Sequence, residues 1–156
     1  MARRVFFSFH YKRDVWRAGQ VRNSWVTQPN RETAGFWDAA DWEAVKKRGD
    51  AAIRKWIRDQ MNGTSVTVVL IGAETASRPH VQYEIRHSWN IDNGLIGIYI
   101  DSVKDESGNT DVRGEDPFEK LGWKGFKTYD WVYDGGYENL GDWVEDAYKR
   151  AQNRNK

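Results

Sequence analysis

Val66-Thr67-Val68-Val69-Leu70-Ile71-Gly72 runs straight into Ala73-Glu74-Thr75-Ala76-Ser77-Arg78-Pro79-His80-Val81-Gln82-Tyr83-Glu84-Ile85, and this stretch decides the fold class. Its first six residues are apolar or β-branched without alternation, the pattern of a strand covered on both faces, as in a parallel sheet. The Gly/Ser/Thr-rich segment behind it reads as a turn, and Pro79 suits the first turn of a helix. Val81, Ile85 and Trp89 recur at i, i+4 and i+8 and predict that helix's core-facing stripe.

The same alternation continues outward on both sides. Val5 to Phe9 (VFFSF) and Leu95 to Ile100 (LIGIYI) are two more buried-strand runs. Thr128 to Val132 is a weaker strand candidate, and Gly35 to Asp38 a short edge strand. Asp14 is a predicted N-cap for a helix to about Val26, with Val15, Ala18, Val21 and Trp25 inward. Trp42 to Met61 reads as one helix burying Trp42, Val45, Ile53, Trp56, Ile57 and Met61, with Gly63 as its stop. A last helix opens near Asn139 and buries Leu140, Trp143, Val144, Ala147 and Tyr148. Strands alternating with helices imply right-handed crossovers and an α/β, three-layer, doubly wound, mainly parallel sheet. Residues 1–156 read as a single domain, with a polar, Gly-rich loop insertion at about 101–125.

Composition narrows the function classes. The chain has 156 residues, with 24 Lys+Arg against 23 Asp+Glu and a formal charge of +1. One domain of this size buries a core without staples, and the charge balance argues against a nucleic-acid partner. Cysteine is absent, which excludes thiolate zinc sites and cysteine nucleophiles. Nine Trp, seven Tyr and six Phe indicate a core of few, large side chains. No signal peptide is legible, and no run approaches the roughly 18 apolar residues of a membrane span. A soluble, cytoplasmic protein without membrane contact is expected.

Several chemistries are missing from the pattern. There is no GxGxxG after the first strand, no P-loop, no receiver-type acidic pair and no GxSxG elbow. His10, His80 and His87 lack metal-ligand spacing, so no metal is expected. In an open α/β sheet, ligands bind beyond the carboxyl ends of the strands. That directs attention to Ser8–Asp14, Gly72–Tyr83 and the residues from Asp101 on. Glu84 lies about 60° round the helix from Val81, bordering the buried stripe. A carboxylate leaning from there toward the crevice stays ionised if the helix end lowers its pKa. Read from the residues alone, Glu84 could equally be a solvated helix residue paired with Arg78 or His87. Ser8, Phe9 and His10 end the first strand and suit a pocket, although Phe9 is as well placed for the core. Asn23 in mid-helix suggests a hydrogen-bonding task. Tyr83 either stacks on a base or caps the core.

Phe6-Phe7-Ser8-Phe9-His10-Tyr11, Asp14-Val15-Trp16-Arg17 and Val21-Arg22-Asn23-Ser24 resemble the opening of the TIR-like proteins of the bacterial Thoeris antiphage system. Val68 to Gly72, Thr75 to Arg78 and Val81 to Ile85 are similar to that family's second signature. The likeness continues through Gly94 to Ile98 and Asp116-Pro117-Phe118. It implies a flavodoxin-type, TIR-like sheet and an enzyme that consumes NAD as substrate, with no cofactor. Glu84 occupies the position of the catalytic Glu, and Ser8, Phe9, His10, Asn23 and Tyr83 are the expected substrate-binding residues. It further implies a cyclic ADP-ribose isomer as product, an effector protein activated by that product, and possible self-association. His80 stands where such enzymes often carry Trp. A non-catalytic TIR-like nucleotide-sensing or interaction module is the alternative reading.

One carboxylate suffices for this chemistry. Nicotinamide leaves a cationic pyridinium as a neutral base, so the second carboxyl group that ordinary glycosides need as general acid is unnecessary. A single acid can stabilise oxocarbenium-like charge. Whether water or a hydroxyl of the adenosine end then attacks depends on how dry the pocket is.

Overall fold

The structure, a computed structural model, describes residues 3–29, 31–33 and 39–154. Five strands form one sheet: β1 (Arg3–Ser8), β2 (Arg31–Thr33), β3 (Val66–Ile71), β4 (Gly94–Tyr99) and β5 (Thr128–Asp130). Their order is β2-β1-β3-β4-β5 and every neighbouring pair is parallel, a flavodoxin-like arrangement as expected. The helices are α1 (Val15–Val26), α2 (Ala39–Lys46), α3 (Asp50–Met61), α4 (Pro79–Asn90), α5 (Pro117–Lys120) and α6 (Gly136–Arg154).

Strand parity builds the two half-cores. Val5, Phe7 and Phe9 join Val66, Val68, Leu70, Ile96 and Ile98 beneath α1 and α6. The opposite parity sends Phe6 toward Ile57 and Met61 of α3, and Val69, Ile71 and Leu95 toward Val81 and Ile85 of α4. Every residue of β3 is buried, as its unbroken apolar run required. α6 lies close on β4: a Cβ on Gly94 would sit 2.6 Å from the Ala147 carbonyl oxygen.

Several sequence expectations are corrected. The Trp42–Met61 helix is two helices, broken at Gly49, whose φ of +94° no helix accommodates. Asp14 stands at the N-cap position but makes no capping hydrogen bond. Its carboxylate is buried 3.7 Å from the Arg17 guanidinium. Trp89 is 44% exposed, because i+8 lies about 80° off the stripe on a 3.6-residue wheel. It carries the Arg154 guanidinium at 4.0 Å instead. β5 ends at Asp130, whose side chain accepts the N–H groups of Val132 and Tyr133 and turns the chain. The last helix begins three residues earlier than expected, at Gly136. Within the polar 101–125 segment, Asp116 caps the single turn of α5 through the N–H groups of Phe118 and Glu119. Gly35–Asp38 lies outside the described residues; the edge strand observed is Arg31–Thr33, which explains why β1 starts at Arg3.

Candidate active site

The strand order reverses between β1 and β3, so the loops after these two strands diverge and leave a crevice. A cleft of about 560 Å³ opens there. Its floor is His10 and Tyr11 from the β1 loop and Pro79 and His80 from the start of α4. Its far wall is Trp42 of α2 and Ile53 and Arg54 of α3.

Glu84 lies behind this floor. The buried residues of α4 are Val81, Glu84, Ile85 and Ser88, so the carboxylate forms the edge of the buried stripe and is itself covered. It is 0% exposed. Parity puts Ser8 on the same face of the sheet as Phe6, and its hydroxyl donates to Glu84 Oε1 at 2.6 Å. The Tyr11 hydroxyl donates to Oε2. Neither Arg78 nor His87 pairs with it; Arg78 reaches Glu74 at 2.8 Å. Burial pushes the Glu84 carboxyl up to about 8, against the smaller downward pull of the Ser8 and Tyr11 hydroxyls. The expectation that the helix end lowers its pKa is thereby reversed: loss of water outweighs a dipole that acts over one turn.

The other expected residues divide. Ser8 touches Glu84 directly. The Phe9 ring is core, packed edge-on to Tyr11 at 4.8 Å, while its carbonyl accepts from His80 Nε2 at 3.0 Å. His10 lines the cleft, where burial lowers its pKa. Tyr83 lines it too, accepting from the Arg58 guanidinium at 3.0 Å. Asn23 is exposed on α1 and is not among the cleft's lining residues.

Sequence reasoning missed the aromatic clamp. His80 stacks on Tyr11, with centroids 4.6 Å apart and rings 20° from parallel, and Trp42 packs against both at 5.0 and 4.9 Å. The indole that position 80 lacks is thus supplied across the cleft by α2. Burial also drives the His80 pKa down to about 4, so the ring is neutral and donates to Phe9. The cationic rim was missed as well. Lys12, Lys46, Arg54 and Arg86 line the cleft, and among the described residues none of the four makes an ion pair. Among the described residues, Asp50 is the one carboxylate in the lining. Such a rim attracts an anion. Its legible signal was Asp50, Ile53, Arg54 and Ile57 on one side of α3. No group of three or more His, Asp or Glu among the described residues could hold a metal. No helix of the described residues is long and apolar enough to cross a membrane.

Comparisons with known proteins agree with this architecture. The family described as "Thoeris protein ThsB, TIR-like domain" matches residues 6–105, which include the second half of β1, the cleft floor, its far wall and Glu84. A protein of Bacillus cereus (strain MSX-D12) is 37% identical over an alignment of 191 residues, covering 92% of this chain and 100% of that protein. It is named "Putative cyclic ADP-D-ribose synthase ThsB1". The chain belongs to the TIR-like family of Thoeris ThsB proteins.

Proposed function

We propose that this protein consumes NAD, breaks the nicotinamide–ribose bond and closes the remaining ADP-ribose into a cyclic isomer that signals in antiviral defence. The observation that carries this reading is one buried carboxylate, Glu84, placed behind a cleft with an aromatic clamp and a cationic rim. The rim suits a diphosphate, and Tyr11, His80 and Trp42 offer ring faces to a base or nicotinamide. The relative's name, a cyclic ADP-D-ribose synthase, supports the choice of substrate.

Glu84 is the catalytic carboxylate. As the C1′–N bond breaks, its electrons go to nicotinamide, which departs neutral, and positive charge grows on the ribose. An ionised Glu84 stabilises that charge in a site with little water to screen it. The pyridinium cation of NAD itself favours the ionised form when it enters the cleft. The attacking hydroxyl then bonds to C1′ and gives up its proton. The product diffuses to a nucleotide-activated effector protein of the same defence system.

Incubation with NAD, followed by chromatography and mass spectrometry of the products, tests the reading beside Glu84→Gln. Nicotinamide and a cyclic product are expected from the parent and neither from the variant. Equal turnover by both removes Glu84 from the mechanism. NAD-induced thermal stabilisation without product, in both forms, identifies a sensing module instead.

A further inference from the structure

Glu84 does not line the cleft, and Tyr11 does. Of the two hydroxyls that donate to the carboxylate, that of Ser8 is itself 0% exposed at the end of β1. Tyr11, itself only 2% exposed, belongs to the cleft lining and Ser8 does not, so Tyr11 is the residue that joins Oε2 to the space a ligand fills. The ring is held for this placement by the His80 stack, the Phe9 edge and Trp42.

We propose that Tyr11 is a second catalytic residue, whose hydroxyl relays a proton from the attacking hydroxyl in the cleft to Glu84. The inference rests on the reading of Glu84 as the catalytic carboxylate. When the attacking oxygen bonds to C1′, its proton passes to Tyr11 Oη, and the Tyr11 proton passes to Glu84 Oε2. Tyrosine ends unchanged, Glu84 ends protonated, and it returns its proton to solvent by the same route after product leaves. Nicotinamide has already left with the electron pair of the C–N bond, so charge and atoms balance. The relay favours a hydroxyl held in the cleft over water, because a bound nucleophile cannot lose its proton to bulk solvent. Cyclisation thus depends on Tyr11 more than hydrolysis does.

The test compares the full-length parent, Tyr11→Phe and Glu84→Gln in NAD turnover, with cyclic and linear products quantified from pH 5.5 to 9. Phenylalanine keeps the ring and its stacking, and a melting curve checks that the variant is folded. For Tyr11→Phe a fall in kcat of about a hundredfold or more is expected, the size of effect of a positioned acid–base group. KM should stay within threefold, and the linear share of product should rise. Glu84→Gln should be inactive. Tyr11→Phe with parental kcat and an unchanged product ratio, beside an inactive Glu84→Gln, overturns the relay and leaves Glu84 standing. An active Glu84→Gln overturns both. Should Tyr11→Phe fail to fold, the parent's solvent isotope effect decides: curvature with deuterium fraction supports two moving protons, and a straight line refutes the relay.

Discussion

Replacing Glu84 by Gln should make the protein more stable, and increasingly so as pH rises. The carboxyl is shifted from its ordinary 4.5 up to about 8 by burial. Between these values the folded chain holds a proton that the unfolded chain has released, so stability falls as pH rises through this window. At roughly 1.4 kcal/mol per unit, Glu84 costs about 1 kcal/mol at pH 5 and about 3 kcal/mol at pH 7. Glutamine has the same shape, keeps an acceptor for Ser8 or Tyr11, and does not titrate. The gap in stability between variant and parent should therefore widen by about 2–3 kcal/mol from pH 5 to pH 7. For a chain of this length that is roughly 5–10 °C in Tm. Melting curves by circular dichroism at half-unit steps of pH measure it, and the difference cancels every other titrating group. A gap constant to within about 1 °C would refute the reasoning, since it requires Glu84 to be solvated in the folded protein.

Other expectations follow from the same geometry. His80 is held neutral with its pKa near 4, below the ordinary 6.5, so its contribution is intact above pH 6.5 and drains away on acidification. His80→Gln should abolish a loss of about 2 kcal/mol between pH 7 and pH 5, read as a variant-minus-parent difference in Tm that grows on acidification; a difference that does not change with pH would place the ring in water. Gly94→Ala forces a methyl group toward the Ala147 carbonyl and should lower stability by about 1–3 kcal/mol in urea unfolding, whereas a neutral result would mean that α6 stands off β4. Combined Arg54→Gln and Arg86→Gln should raise KM for NAD about tenfold while leaving kcat nearly unchanged. A KM that holds would remove the phosphates from the rim.

The sheet was legible because burial on both faces erases alternation: VTVVLI and LIGIYI could be little else at their length. Glu84 was singled out by position, but its surroundings were misjudged by the geometry of one wheel. With Val81 at zero, Glu84, Ser88 and Ile85 fall at about −60°, −20° and +40°, and Trp89 at +80°. The stripe is therefore centred slightly to the Glu84 side, which buries the carboxylate and exposes the indole. Tyr11 and Trp42 escaped notice for a different reason. Periodicity tells which face of an element is covered, not which residue of a distant element covers it, and the Tyr11–His80–Trp42 clamp joins three elements. Gly49 leaves no trace in the periodicity, because apolar residues on both sides of it keep helical spacing across the break.

That break gives the cleft walls unequal mechanical standing. The floor is anchored in the sheet, and Arg54 rides on a helix packed against Phe6. The segment bearing Trp42 and Lys46 joins that helix through Lys47, Arg48 and one positive-φ glycine at position 49. A molecule that enters extended and leaves as a ring needs a mouth that narrows while its base stays rigid. The one positive-φ residue between that segment and α3 is Gly49, at φ +94°, and any side chain at that position would strain the joint beside the opening.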